Sequence, residues 1–191
     1  EARRSPAIEA FTGGELALLV SMLRSGVNSP VTSSAGRLFD AVASLVGLRQ
    51  RTRHEGHAAM ELEFAASGAA GGRRYHLPVR DAADGPLVVD WEDAVREILE
   101  DRSASVAAGK IARGFHDGLV EAIVEVARRA GQDRVVLTGG CFQNKYLTEA
   151  AALRLERAGF RPYWHQRVPP NDGGIALGQA VAAGRMATFD E

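Results

Sequence analysis

The chain has 191 residues, 46% of them apolar and 25% charged, which suits one domain with a sizeable core or one lobe of a larger enzyme. With 23 basic and 24 acidic residues the net charge is −1, which argues against attraction to nucleic acid or to a membrane surface as the main role. A single cysteine, Cys141, excludes an internal disulfide and points to a reducing, cytoplasmic compartment, and no apolar run approaches the length of a membrane span.

The opening is weakly patterned up to Gly14, after which ELALLVSMLRSG reads as a helix closed by Gly26. The turn-rich NSPVTSSAG supplies Ser33 or Ser34 as the cap of a second helix, about Gly36 to Val46. Its apolar positions Leu38, Phe39, Val42, Leu45 and Val46 keep a helical period. Asp40 lies outside that stripe, and its neighbours one turn away are the small Gly36, Ala43 and Ser44, which leaves room for something to approach. A loop carrying Arg49, Arg51 and Arg53 leads to HEGHAAMELE. AASGAAGG at 65–72 is then expected to be a flexible linker or hairpin tip.

Two short strands are expected at 74–80 and 86–91, separated by the turn signal DAADG, and a helical pattern begins at 93–99. A longer helix at 107–130 places Ile111, Phe115, Leu119, Ile123 and Val126 on one stripe and stops at Gly131. Strand 134–138, helix 145–158, strand 161–165 and helix 174–183 then follow in β-α-β-α order, which favours parallel strands under covering helices.

Two segments carry the strongest chemical signal, VVLTGGCFQN and PPNDGGIALGQA. Each runs into a glycine pair before a helix, where backbone N–H groups can face a phosphate. Gly139 and Gly140 therefore serve a phosphate or a tight turn. Asn144 is a helix N-cap or a ligand amide, and Asp172 a cap or a carboxylate for a metal bridging phosphates. Asp40, an acid in a largely apolar helix, is a solvated surface group or a partner for ribose hydroxyls. His54 and His57 form H-x-x-H beside Glu55 and Glu61, but the spacing is not that of a helical zinc motif. His116 reads as a satisfied core histidine, whereas His76 and His165 carry no signal. Cys141 sits where helix N-termini lower thiol pKa values, but with no histidine close in sequence it is expected to be a small buried filler.

In the order SSAGRLFDAVASLVGL, HEGHAAMELE, VVLTGGCFQNKYL and VPPNDGGIALGQA, about residues 28–186 resemble the HypF-type carbamoyltransferases, maturation factors of nickel–iron hydrogenases. The resemblance is to the C-terminal part of that family's large domain, which is similar to the tRNA threonylcarbamoyladenosine-forming enzymes. It implies an α/β fold, the C-terminal lobe of an actin-like/Hsp70-like ATPase domain with helical and short-strand insertions. Within it, 1–27 would be a lead-in helix region, 28–64 a nucleoside-facing helix and loop, 65–103 a strand insertion and 104–191 the nucleotide-binding β-α-β-α segment.

The resemblance further implies that Asp40 meets the ribose and that Gly56 and Glu61 lie against the nucleoside. Gly139, Gly140 and Asn144 would cradle the nucleotide, and Asp172 would complete a metal site. At position 57 the tRNA-modifying relatives have the second glycine of a pair and HypF proteins commonly have glutamine, whereas this chain has His57. The implied activity is carbamoyl transfer: carbamoyl phosphate and ATP give a carbamoyl-adenylate, and the carbamoyl group passes to the C-terminal cysteine of a HypE-like acceptor. A divalent metal (iron, zinc or magnesium) would assist. No catalytic side chain is assigned, because the acceptor's thiolate attacks. The family's HHxAH metal motif is not in this sequence, which also starts at Glu1 without a methionine, so the chain is expected to be a piece of a longer enzyme, inactive alone. Two other readings remain: a small-molecule O-carbamoyltransferase of the same superfamily, and a non-catalytic nucleotide-binding or docking lobe.

Overall fold

The computed structural model describes residues 5–82 and 85–187. The chain divides into two compact units, residues 1–118 and 119–191, and each is described by itself.

The first unit opens with two helices, α1 (Pro6–Glu9) and α2 (Gly13–Ser25), the first of them in the weakly patterned stretch before Gly14. The start of α2 is fixed by a capping box. Thr12 Oγ1 accepts from the Glu15 N–H, and the Glu15 carboxylate accepts from the Thr12 N–H. Gly26 ends this helix in the left-handed conformation expected of a C-terminal glycine.

Helix α3 (Ala35–Leu45) starts on Ser34, as the cap pattern predicts. Helix α4 (His57–Ser67) begins inside HEGHAAMELE, so most of that segment is helix rather than loop. The helix also takes in 65–67 of the stretch expected to be a linker, because Ala58, Leu62 and Ala66 form a buried stripe at helical spacing. These three pack on the buried Phe39, Val42 and Ala43 side of α3, and the small alanines let the two helices approach closely.

The expected strands at 74–80 and 86–91 shrink to a two-residue antiparallel pair, β1 (Val79–Arg80) and β2 (Val88–Val89). The turn between them includes Ala83 and Asp84, which lie outside the described residues. The rest of the first expected strand packs against helix instead. Tyr75 N–H donates to the Gly114 carbonyl at 3.3 Å, and the Tyr75 hydroxyl donates to Asp101 Oδ2 at 2.6 Å. Burial and that carboxylate push the phenol pKa upward. Asp101 belongs to α5 (Glu92–Ser103), a longer helix than the 93–99 pattern marked.

Helix α6 (Ala108–Ala130) gives its first half to this unit. There Phe115 meets Phe39 edge-on, centroids 5.1 Å apart, within a core that also holds Ile98 and Ile111. Gly114 and Gly118 form the flat surface on which residues 73–77 lie, and a Cβ on either would collide with the Arg73 or Tyr75 carbonyl.

The second unit holds a β-α-β element: β3 (Arg134–Leu137), α7 (Lys145–Arg157) and β4 (Arg161–Trp164). The strands pair in parallel, Arg134 with Arg161 through Leu137 with Trp164, as the β-α-β order predicts. Leu147, Ala151 and Leu155 are the buried stripe of α7. Arg154 of α7 donates through Nε and Nη2 to the two carboxylate oxygens of Glu121 in the second half of α6, at 2.8 and 3.1 Å. The closing helix α8 (Ile175–Ala187) begins after a single 3₁₀ turn at Asp172–Gly174.

The Gly114 contact sets a stability test. Gly114→Ala is expected to cost about 1–3 kcal/mol despite alanine's better helix propensity, because the backbone of residue 73 must move. Urea denaturation of wild type and variant measures it, and an equal or greater stability for the variant would contradict the close approach.

Candidate functional site

In the first unit a cavity of about 600 Å³ opens between the start of α3 and the segment that leads into α4. Ser34, Gly36, Arg37 and Asp40 line one side and Thr52–Gly56 the other. The Ser34 hydroxyl is committed to the Arg37 N–H at 3.4 Å. Gly36 and Gly56 keep two parts of the wall free of side chains, and Gly56, at φ +75°, makes the left-handed turn that starts α4.

Asp40 is part-buried, and the room expected beside it is taken on one side by Arg37, also one turn away on the helix, whose Nη2 lies 2.9 Å from the carboxylate. This arrangement suits a ligand that brings hydroxyl donors, since an ionised carboxylate only accepts hydrogen bonds.

Glu61 is placed differently. It lies one turn inside α4, outside the cavity lining, and both of its oxygens accept from Arg49, one of them from Nε at 2.9 Å. The hydrogen-bonded guanidinium holds the Glu61 carboxyl below the ordinary carboxylate range. His57 and His54 stack with centroids 4.6 Å apart. Among the described residues no three His, Cys, Asp or Glu side chains gather as a metal site. His116 is buried in the core, its ring Nδ1 2.7 Å from the Ala112 carbonyl, and burial pushes its pKa down.

In the second unit β3 empties into Gly139, at φ +104°, whose N–H donates to the Pro170 carbonyl at 2.8 Å. That bond joins the two glycine turns of the sequence at the carboxyl end of the parallel strands, where α/β sheets leave a crevice for ligands. Gly140 begins a 3₁₀ turn that ends at Gln143, and no atom would crowd a Cβ placed on it. Asn144 is buried, and its Oδ1 accepts from the Leu147 N–H at 2.8 Å, so it caps α7.

At the second turn the cap is Asn171, whose Oδ1 accepts from the Gly173 N–H at 3.2 Å, and not Asp172. The Asp172 carboxylate is exposed and makes no cap bond; alone it does not amount to a metal site. A pairing without a local sequence signal is that of Thr138 Oγ1 with His165 Nε2, 2.9 Å apart. Each is the first residue past its strand, and only the parallel register brings the two together.

Cys141 is half-buried, and burial pushes its thiol pKa upward, opposite to the lowering that a helix start would bring.

The family model for the carbamoyltransferase Kae1-like domain, second subdomain, matches residues 2–179. The chain belongs to that carbamoyltransferase family. Among its relatives are the carbamoyltransferase HypF of Synechocystis sp., 41% identical over 155 residues covering 81% of this chain and 20% of that protein, and the HypF of Rhodobacter capsulatus, 40% identical over 163 residues covering 83% and 20%. A crystal structure of full-length HypF in the phosphate- and nucleotide-bound form superposes with a TM-score of 0.86 at 36% identity, covering 94% of this chain and 24% of that one. The α/β fold is thus that of the Kae1-like carbamoyltransferase domain of HypF. The chain spans about a fifth of the length of these curated relatives.

Two outcomes test this geometry. Asn144→Ala should lose about 1 kcal/mol of stability in urea, the usual cost of an N-cap; no loss would mean that α7 does not depend on it. Cys141, with its raised pKa, should react with iodoacetamide more slowly than free cysteine at pH 8, its rate rising only as the medium becomes more alkaline. Fast alkylation at pH 7 would show an activated thiolate.

Proposed function

We propose that this chain supplies part of the nucleotide-binding apparatus of a HypF-type carbamoyltransferase acting in hydrogenase maturation. The observation that carries the reading is the polar cavity of the first unit. Asp40 stands at its side with a cation beside it, and glycines keep its walls open.

Asp40 accepts hydrogen bonds from the ribose hydroxyls, and Gly56 allows the nucleoside to lie close to the backbone. In the second unit, Gly139, Gly140 and the helix start capped by Asn144 receive phosphate oxygens. Glu61 acts from behind the wall through Arg49, a role that fits its place one turn inside α4. Asp172 would supply one carboxylate to a divalent metal, and no further ligands gather beside it among the described residues. The chain as a whole corresponds to the C-terminal lobe of an actin-like/Hsp70-like ATPase domain, with helical and short-strand insertions.

The whole enzyme is proposed to work in the cytoplasm, where carbamoyl phosphate gives carbamate and phosphate with water, and carbamate displaces pyrophosphate from ATP to form a carbamoyl-adenylate. The thiolate of a HypE-like partner's C-terminal cysteine attacks the carbamoyl carbon and AMP departs. This chain's share is to hold and orient the nucleotide, which lowers the entropic part of the barrier without a nucleophile of its own. Support comes from the relatives named carbamoyltransferase HypF and from the nucleotide- and phosphate-bound form of a structural neighbour.

Titration calorimetry with Mg-ATP tests the assignment. Asp40→Ala is expected to weaken binding by about 1–3 kcal/mol, the loss of hydrogen bonds to a charged group. Unchanged affinity would remove Asp40 from the site.

A further inference from the structure

The cavity wall at 52–56 has no strand or helix of its own, so its shape depends on ties to something rigid. One such tie is made by a side chain. The Arg53 N–H points at Nδ1 of His57, the first residue of α4, at 3.3 Å. The other ring nitrogen, Nε2, lies 3.5 Å from Glu61 Oε1, one turn further along the same helix. Glu61 is in turn gripped by Arg49, at the head of the same connection.

The order of donors follows from the atoms. A backbone N–H can only donate, so Nδ1 must be the bare nitrogen and the ring hydrogen sits on Nε2, facing the carboxylate. His54, which lines the cavity, stacks on His57 with its ring 13° from parallel. The His57 side chain is largely covered, at 17% exposure. Of the groups in contact with it, His54 stacks on its ring, Glu61 faces Nε2 and is itself bound by Arg49, and Arg53 contributes its backbone.

We infer that His57 is a positioning residue: its ring clamps the cavity wall to α4 by accepting from the Arg53 N–H and donating toward Glu61. A glutamine at this position can perform both tasks, with its carbonyl oxygen as acceptor and its amide as donor. Leucine fills similar space and can perform neither.

The effect on nucleotide binding rests on the cavity being the nucleoside site, whereas the clamp itself does not, and the experiment separates the two. Wild type, His57→Gln and His57→Leu are compared by hydrogen–deuterium exchange over residues 49–57 and by Mg-ATP titration. The α6 peptides report whether each variant is folded. The expected result is wild-type exchange and affinity for His57→Gln. For His57→Leu, faster exchange at 49–57 with α6 unchanged is expected, together with an affinity about threefold to tenfold weaker, the scale of one net hydrogen bond.

Unchanged exchange in His57→Leu overturns the clamp, as does a glutamine variant no better than leucine. Should this chain alone bind no nucleotide, the titration repeated in the longer enzyme decides the proposed function, while the exchange comparison still decides the clamp. Should His57→Leu fail to fold, ¹⁵N shifts of the wild-type ring decide: a hydrogen on Nε2 supports the clamp, and one on Nδ1 overturns it.

Discussion

The packing of α3 against α4 is the contact on which the first unit depends. Phe39, Val42 and Ala43 bury one face of α3, and Ala58, Leu62 and Ala66 bury one face of α4. The burial is apolar and therefore non-directional, yet it has a directional result. Once the two stripes meet, the connection that follows Val46 must return to the start of α3 before α4 can begin, and this return places Thr52–Gly56 opposite Ser34–Asp40. A cavity with polar walls thus stands on an interface that contains no polar side chain among those six residues. Phe115 extends the same core to α6 through its edge contact with Phe39.

Two carboxylates of this region, Asp40 and Glu61, are each paired with an arginine. Arg37 answers Asp40 within a single helix, and Arg49 answers Glu61 across the connection. Ion pairs of this exposure contribute little to stability, because solvent screens them and long side chains lose entropy when held. Their value is positional. The Arg37 pair keeps a carboxylate facing the cavity, while the Arg49 pair fastens the wall from behind. Arg73 does comparable work at a distance from the cavity, where it reaches Glu97, Glu100 and Asp101 of α5 from the chain segment lying on α6.

In the second unit the governing constraint is the βαβ crossover. Parallel strands need a covering helix, and α7 supplies it with Leu147, Ala151 and Leu155 facing inward. Both strands then end at the same side, which gathers Gly139, the Pro170 carbonyl, and the Thr138–His165 pair. On the strands themselves Val136 and Tyr163 remain well exposed, so this two-stranded sheet covers only part of its apolar surface within the described residues.

Much was legible in the residue order, and for physical reasons that act over a few residues. The period of α3, the Ser34 cap, the end of α2 at Gly26, and the strand–helix–strand order of the last third all arise from local backbone preferences and from a stripe of side chains. Glycine pairs before helices likewise marked the two turns at 139–140 and 173–174. What stayed illegible depends on partners distant in sequence. The stretch around Tyr75 alternates like a strand but lies on α6, because the bare backbone of Gly114 and Gly118 offers it a surface no local pattern reveals. Asn171 rather than Asp172 caps its turn, a difference of one residue that only hydrogen-bond geometry settles. The sequence by itself determined the elements and the residue types available for chemistry. The tertiary structure alone decided that Glu61 faces Arg49, that His57 meets the Arg53 amide and that Thr138 meets His165, since pairings of side chains exist only after apolar burial has set the helices and strands in place.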